Sequence, residues 1–411
     1  MRILISVAVW GRKYAATFSN YSLASLLSPQ NIPRLAAEHD VTCHIVVTAA
    51  DNEWLRRQPA IVRLERHCNV IWDLMESHGI DPKLVPVGTD DRKYPFLSRL
   101  QNLAFARSQD HDAIVFNYAD FIWADGSLTE ALAMLHEGVD AVLSFCLPVD
   151  HSAGMKALDR HRQASDETLN LPARELARIA IDHLHREARL RFWDAPKFTA
   201  WPTYLLWSAG TDGVLIRAYH QTVLALRVKH DDPGFCLGIR RGSLDGYFTS
   251  NLATEGHAIH ATDSDKVMVF SLYHTVLSTI LRGESREYAL RKLLQIAVSQ
   301  EQRRFAEVPI RVKSRFTDEA KWENVERTSW ALLHNLHQTT PFDRVTYERR
   351  QQESGDLESA SRRRTLSDRT YRYIVTRLVH SALGPGIKKL MGGSARRLRL
   401  TIERWIVRSR S

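Results

Sequence analysis

The sequence predicts an α/β fold: a mainly parallel sheet flanked by helices, with a helical C-terminal extension. Two observations carry this. Short apolar β-branched runs alternate with helical-period segments across residues 1–150, and two amphipathic stretches follow a polar linker at the chain's end.

Taken in order, residues 3–9 (ILISVAV) form a buried strand, closed by Trp10-Gly11-Arg12. Helical spacing over 18–27 stops at Ser28-Pro29, and 41–47 (VTCHIVV) is the next strand. Residues 52–80 read as helix, 84–87 as strand, 96–108 as helix and 113–116 as strand. A helix at 127–137 and a strand at 141–147 complete the first half. Strand after helix after strand implies βαβ crossovers, hence parallel pairing. Beyond 150 the spacing predicts a helix over 170–191, with Asn170 as cap and Pro172 in its first turn. An aromatic segment follows at 192–207, then strands at 213–216 and 258–260 and helices at 243–253, 284–305 and 317–337. The expected divisions are 1–150, 151–340 and 341–411.

Composition bounds the function. The 411 residues carry 56 Lys+Arg against 47 Asp+Glu, a net charge of +9. Residues 341–411 hold 17 basic and 7 acidic side chains, which leaves 39 against 40 in residues 1–340. The body is therefore neutral, and no basic folded surface speaks for nucleic acid. Hydrophobic content of 44% excludes wholesale disorder. The apolar stretch 267–281 is too short, and too polar at Ser271, Tyr273 and His274, to cross a bilayer. Residues 1–9 lack the small-residue cleavage site of a signal peptide. Four scattered cysteines without a C-x-x-C pair fit a reducing cytoplasm rather than a disulfide or Cys-zinc scaffold.

In an open α/β sheet, ligands bind beyond the carboxyl ends of the strands where strand order reverses. Those ends are Val9-Trp10-Gly11-Arg12, Thr48-Ala49-Ala50-Asp51 and Asn117-Tyr118-Ala119-Asp120. In the last, AIVFNYADFIWADGSL, an apolar strand runs into Asp120, and Asp125 precedes a turn. Asp120 and Asp125 also suit plain turn positions.

The pieces in this order, with the helix RLQNLAFARS between the second and third strand ends, resemble the nucleotide-sugar-binding half of GT-A-type glycosyltransferases. The resemblance spans roughly residues 1–275 and rests on short motifs. It implies a GT-A-like (Rossmann-like) sheet and a nucleoside-diphosphate sugar donor. The matching donor-binding positions are Trp10, Arg12, Asp51, Arg99, Asn102 and Asp120. Where the family's D-x-D motif carries its first acid, this chain has Tyr118. A divalent metal (Mn or Mg) held at Asp120 would match the family. Charge neutralisation of the diphosphate by Arg12 and Arg99 is the alternative. His274, in VMVFSLYHT, stands where some relatives place a late histidine for metal or phosphate; a satisfied core histidine is the other reading. The segment RRGSLDGYFTSNLATEGHAIHA resembles the acceptor-side part of the family, which implies Asp245 as general base. Asp245 also suits the N-cap of a following helix.

The implied activity is transfer of a sugar to an acceptor hydroxyl on a glycan or lipid-linked acceptor, in surface polysaccharide or glycoconjugate synthesis. A sugar nucleotidyltransferase would instead need a Gly-rich basic loop, which Trp10-Gly11-Arg12-Lys13 only faintly resembles. A non-catalytic scaffold is the further alternative, because position 118 lacks its acid. Trp193, Trp201, Tyr204 and Trp207 suit either an acceptor platform or core filling. Asp150, His151, His183 and His185 match no metal template. In the tail, Tyr371, Ile374, Val375, Leu378 and Ala382 form one apolar stripe, and Leu398, Ile402, Trp405 and Ile406 another, flanked by arginines. Residues 365–411 are thus expected either to meet an anionic membrane surface at the inner face or to pack on protein.

Overall fold

The computed structural model describes residues 1–85, 93–136, 138–162, 168–228, 258–274, 283–296, 299–315 and 318–345. The chain divides into two compact units, 1–347 and 348–411, and all described residues belong to the first. In chain order the strands begin with β1 (Arg2–Val9), β2 (Asp40–Val47), β3 (Asn69–Leu74), β4 (Ala113–Tyr118) and β5 (Phe121–Trp123). Next come β6 (Ala141–Ser144), β7 (Leu147–Asp150), β8 (Tyr204–Ser208), β9 (Gly213–Ala218) and β10 (Thr222–Arg227). The last are β11 (Ala258–His260), β12 (Val269–Tyr273) and β13 (Ile310–Lys313).

The expected mainly parallel sheet is present, in the order β11-β6-β10-β4-β1-β2-β3. β1 pairs parallel with β2 and β4, β2 with β3, and β6 with β11. β10 alone among the described strands of this sheet runs antiparallel to its neighbours, β4 and β6. Both faces are covered, which explains why the β1 run is apolar without alternation. Ile3, Ile5 and Val7 join the core of one face with Ile61 and Leu64. Leu4, Ile114 and Phe116 pack on the other under Ala104 and Phe105 of the helix Lys93–Arg107.

Two smaller sheets complete the unit: β5-β12-β7 and β13-β9-β8. The latter is tied to the long helix Glu319–Thr339 by Arg217 of β9. Buried to 1% exposure, it donates to Ser329 Oγ and Glu326 O, each at 2.9 Å, and to the carbonyl of Glu307. Burial pushes its pKa to about 10, still high enough to keep the guanidinium charged at neutral pH. The tryptophans 193, 201 and 207 are partly buried against Leu205, Leu290 and Leu333, as core filling requires.

Several elements differ from the sequence reading. The helix expected over 52–80 is two helices, Ala49–Leu55 and Pro59–His67, followed by β3. Pro59 restarts the helix at its first position, where its missing N–H costs nothing. Val70, Ile71 and Trp72 then pair with β2, a contact that local spacing does not register. The strand expected at 84–87 does not begin at Leu84, which closes a 3-10 turn opened by Asp81 accepting the Lys83 N–H. The run 141–147 breaks between two sheets, as β6 and β7. The helix expected over 170–191 stops at Asp182, and Leu184 bridges Val149 before the short helix Arg186–Arg189. The helix expected at 243–253 and the two tail helices lie outside the described residues. Among the described residues, no helix is long and apolar enough to cross a membrane.

Candidate active site

Strand order fixes where a ligand crevice lies. The chain steps from β1 to β2 to β3 in one direction, then returns to β4 on the other side of β1. The reversal leaves a crevice beyond the carboxyl ends of β1 and β4. The β1 loop carries Trp10 and Arg12, the β2 end carries Asp51, and the β4 end carries Asp120.

Asp51 organises the first of these loops. Thr48 caps the helix Ala49–Leu55, accepting the Asp51 N–H at 3.2 Å and donating its hydroxyl to Asp51 Oδ2 at 3.0 Å. The same Oδ2 accepts the Gly11 N–H at 2.8 Å. Gly11 adopts φ 82°, a left-handed conformation that lacks a penalty only without a Cβ. So the loop turns sharply and is pinned to the neighbouring helix. Arg12 then opens the helix Arg12–Thr17 with its guanidinium 4.5 Å over the ring of Trp54, one helical turn beyond Asp51. Trp10 lies edge-on to Phe96 at 5.3 Å, which brings the helix Lys93–Arg107 against the loop.

That helix carries Arg99, Gln101 and Asn102. Arg99 is exposed and donates to the carbonyl of His78 at 3.1 Å, beyond β3; Asn102 is half-buried. The residue bonded to the end of β4 is Gln101, whose Nε2 donates to the Tyr118 hydroxyl at 3.1 Å. Its Oε1 is buried with no hydrogen-bond partner. Tyr118, at the position where the family carries an acid, packs on Phe121 at 4.6 Å.

Asp120 occupies the turn from β4 to β5. Its Oδ2 accepts the Ser271 hydroxyl at 3.0 Å, and its carbonyl accepts the Leu272 N–H at 2.9 Å. β12 therefore fixes the orientation of the carboxylate. Asp125, by contrast, serves a loop contact, accepting the Gln30 N–H at 2.8 Å.

His274 follows β12 and meets residues from two other elements, the helices Arg12–Thr17 and His151–Asp159. Its ring lies 3.3 Å from that of His151 and edge-on to Tyr14 at 5.4 Å; His151 Nε2 is 3.1 Å from Thr17 Oγ1. Burial, reinforced by His151 and Lys13, pushes the His274 pKa down to about 3. Burial and Lys13 push His151 to about 4. Both rings are neutral at physiological pH, the form that can ligate a metal or accept a proton. His274 Nε2 is buried without a hydrogen-bond partner, which suits a ligand role. Yet among the described residues no three His, Cys, Asp or Glu side chains converge to hold a metal. A cation at Asp120 would draw most of its shell from phosphate oxygens and water. Asp245 lies outside the described residues.

Four contacts escaped the sequence reading: Trp54 beneath Arg12, Gln101 on Tyr118, Ser271 on Asp120 and His151 on His274. Gln101 is adjacent to Asn102 in RLQNL, but helix phase, not residue type, decides which one faces the sheet. Ser271 stood in view as a polar interruption of an apolar run.

No protein-family model matches the chain, and no curated protein matches it. Among solved structures it is similar to mouse xyloside xylosyltransferase 1, at 12% identity and TM-score 0.27 over 41% of this chain and 61% of that one. It is also similar to the mannosyltransferase PcManGT from Pyrobaculum calidifontis, at 12% identity and TM-score 0.32 over 82% and 73% of the two chains. A third likeness is to a glucose-1-phosphate thymidylyltransferase from Bacillus anthracis, at 10% identity and TM-score 0.22 over 37% and 57%. The chain thus spans less than two thirds of the first and third of these proteins. Overlap this low is silent on substrate, and function has to be argued from the site.

Proposed function

We propose that this protein is a glycosyltransferase that moves a sugar from a nucleoside diphosphate to an acceptor hydroxyl. The observation that carries the reading is the crevice at the β1/β4 reversal. There the pinned Trp10–Arg12 loop and the oriented carboxylate of Asp120 stand at the two strand ends that flank it.

In this reading the base and ribose lie near Trp10 and the Asp51 helix, with Asn102 as a further polar contact. The diphosphate is met by Arg12 and Arg99, whose planar guanidinium groups match phosphate oxygens. A Mn or Mg ion on Asp120, with His274 as a further ligand, would supply the same neutralisation as a Lewis acid. The acceptor oxygen attacks the anomeric carbon as the bond to the diphosphate breaks, and Asp245 takes the hydroxyl proton. The arginines then hold the charge that develops on the leaving group.

The nucleotidyltransferase alternative is less well supported. A phosphate-cradling loop uses its backbone N–H groups on the ligand, whereas the Gly11 N–H is already given to Asp51. A glycan or lipid-linked acceptor at the inner membrane face, reached through residues 365–411, completes the proposal and places the protein in the cytoplasm.

Melting the protein with a panel of nucleoside diphosphates and nucleotide sugars, with and without manganese, tests the reading. A true donor raises the melting temperature by mass action. A panel in which no nucleotide shifts the transition would sink it.

A further inference from the structure

On the sheet face covered by Ile61 and Leu64, two cysteines that are widely separated in sequence come together. Cys43 is buried in β2 at 5% exposure. Cys68 is half-buried at the junction of the helix Pro59–His67 with β3, where it caps the helix in an extended conformation. Their sulfurs lie 3.5 Å apart and share a hydrogen bond. The backbone N–H of Cys68 is held by Leu64 O at 3.1 Å.

We propose that Cys43 and Cys68 are a reversible oxidation site, at which hydrogen peroxide converts the two thiols to an intramolecular disulfide. The two cysteines are unequal in ways that suit distinct roles. Cys68 is the one solvent can reach. When it ionises, the Cys43 thiol donates to its thiolate, which lowers the Cys68 pKa and raises that of Cys43. A reachable, lowered thiol beside a buried second one is the arrangement of an attacking and a resolving cysteine.

The chemistry balances in two steps. The Cys68 thiolate attacks one peroxide oxygen: an S–O bond forms, the O–O bond breaks, and the departing hydroxide takes a proton to become water. Cys68 is now a sulfenic acid. The Cys43 sulfur then attacks the Cys68 sulfur: the S–S bond forms, the S–O bond breaks, and the leaving hydroxide combines with the Cys43 proton as a second water. Both sulfurs are oxidised and the peroxide is reduced. From 3.5 Å the sulfurs need to approach by roughly 1.5 Å to bond. Asn69 pairs with Thr42, so Cys68 lies one residue before the β2–β3 ladder and diagonal to Cys43. The approach therefore falls on a helix–strand junction rather than on paired strand. The bond would enclose residues 44–67, the segment that carries Asp51 and Trp54.

The test is treatment of the folded full-length protein with hydrogen peroxide, followed by thiol titration and peptide mapping. Two of the four thiols should disappear, the mapped link should be Cys43–Cys68, and dithiothreitol should restore both. Cys43→Ser should leave Cys68 as a sulfenic acid that dimedone traps, and Cys68→Ser should protect Cys43 from the same dose. Wild-type protein in which Cys68 is trapped or over-oxidised while Cys43 stays reduced would overturn the proposal. So would a link drawn from Cys146 or Cys236. Because the wild-type map is decisive alone, a variant that fails to fold does not blunt the test.

Discussion

Asp51 Oδ2 accepts the backbone N–H of Gly11 at 2.8 Å, so a side chain at the end of β2 sets the path of the loop that follows β1. The bond sits where two βαβ units meet, and Arg12 and Trp54 stack just beyond it. Asp51→Ala leaves the Gly11 N–H and the Thr48 hydroxyl without their acceptor. Losing a buried partner of this kind costs about 1–3 kcal/mol. The expected result in denaturant is a lower midpoint, together with weaker nucleotide binding because Arg12 loses its anchor. Asp51→Asn keeps an acceptor oxygen and should be milder on both counts. Wild-type stability in the alanine variant would remove Asp51 as the organiser of the loop.

Asp120→Asn isolates charge from shape. The amide oxygen can still accept the Ser271 hydroxyl, so the β4–β12 contact survives. Transfer should be abolished while the melting temperature stays near wild type. Ser271→Ala keeps the carboxylate but loosens its orientation, and should reduce turnover less. Asp125→Asn should be milder still, since Asp125 serves the Gln30 contact. Assays of transfer and of thermal melting on the three variants settle the order.

For Asp245, turnover and affinity must separate. A general base acts mainly in the transition state, so Asp245→Asn should lower kcat far more than donor affinity. Loss of donor binding, or earlier melting as from a broken helix cap, would instead leave Asp245 a structural residue.

The sequence made the centre of the sheet legible and left its margins obscure, for a physical reason. β1, β2 and β4 are buried on both faces, so their apolar runs announce them. β3 is an edge strand whose side chains are mostly half-exposed, and Asp73 interrupts it, so its pattern merges with the helix before it. β10 enters the sheet antiparallel between β4 and β6, far from both in sequence, and its placement depends on contacts that no local window contains. The site divides in the same way. Asp51 and Asp120 stood out in the sequence because they closely follow the ends of apolar strands. Gln101, Ser271 and His151 act through tertiary neighbours, and only the fold supplies those.

His260 makes acid stability testable. Its Nδ1 lies 2.8 Å from Gln221 Oε1, while Gln221 Nε2 donates to Phe305 O at 3.4 Å, so the neutral ring carries its proton on Nδ1. Burial pushes its pKa from the ordinary 6.5 to about 4. Between those values the unfolded chain binds the proton and the folded one does not. The contribution is therefore full above pH 6.5 and is lost as pH falls toward 4. One such group changes stability by at most about 1.4 kcal/mol per pH unit. Denaturant midpoints should fall from pH 7 to pH 5 in wild type, and less steeply in His260→Gln. Equal slopes would show that His260 does not titrate with folding.

The final prediction concerns the boundary at Tyr347 and Glu348, where the chain divides into its two compact units. Residues 1–340 carry 39 basic and 40 acidic side chains, so nothing in the body should be drawn strongly to an anionic surface. Residues 365–411, which lie outside the described residues, combine two apolar stripes with clustered arginines. Each basic residue near an anionic leaflet contributes roughly 1 kcal/mol. Exposed charges are screened beyond about 10 Å at 0.1 M salt, so binding built on them should be reversible and weakened by salt. Full-length protein should sediment with phosphatidylserine vesicles at low salt and be released at high salt. A 1–347 truncation should stay in the supernatant, fold, and keep donor hydrolysis, because every candidate site residue precedes residue 275. If the truncated protein unfolds or changes its oligomeric state, the tail's apolar stripes pack on protein and the membrane reading fails.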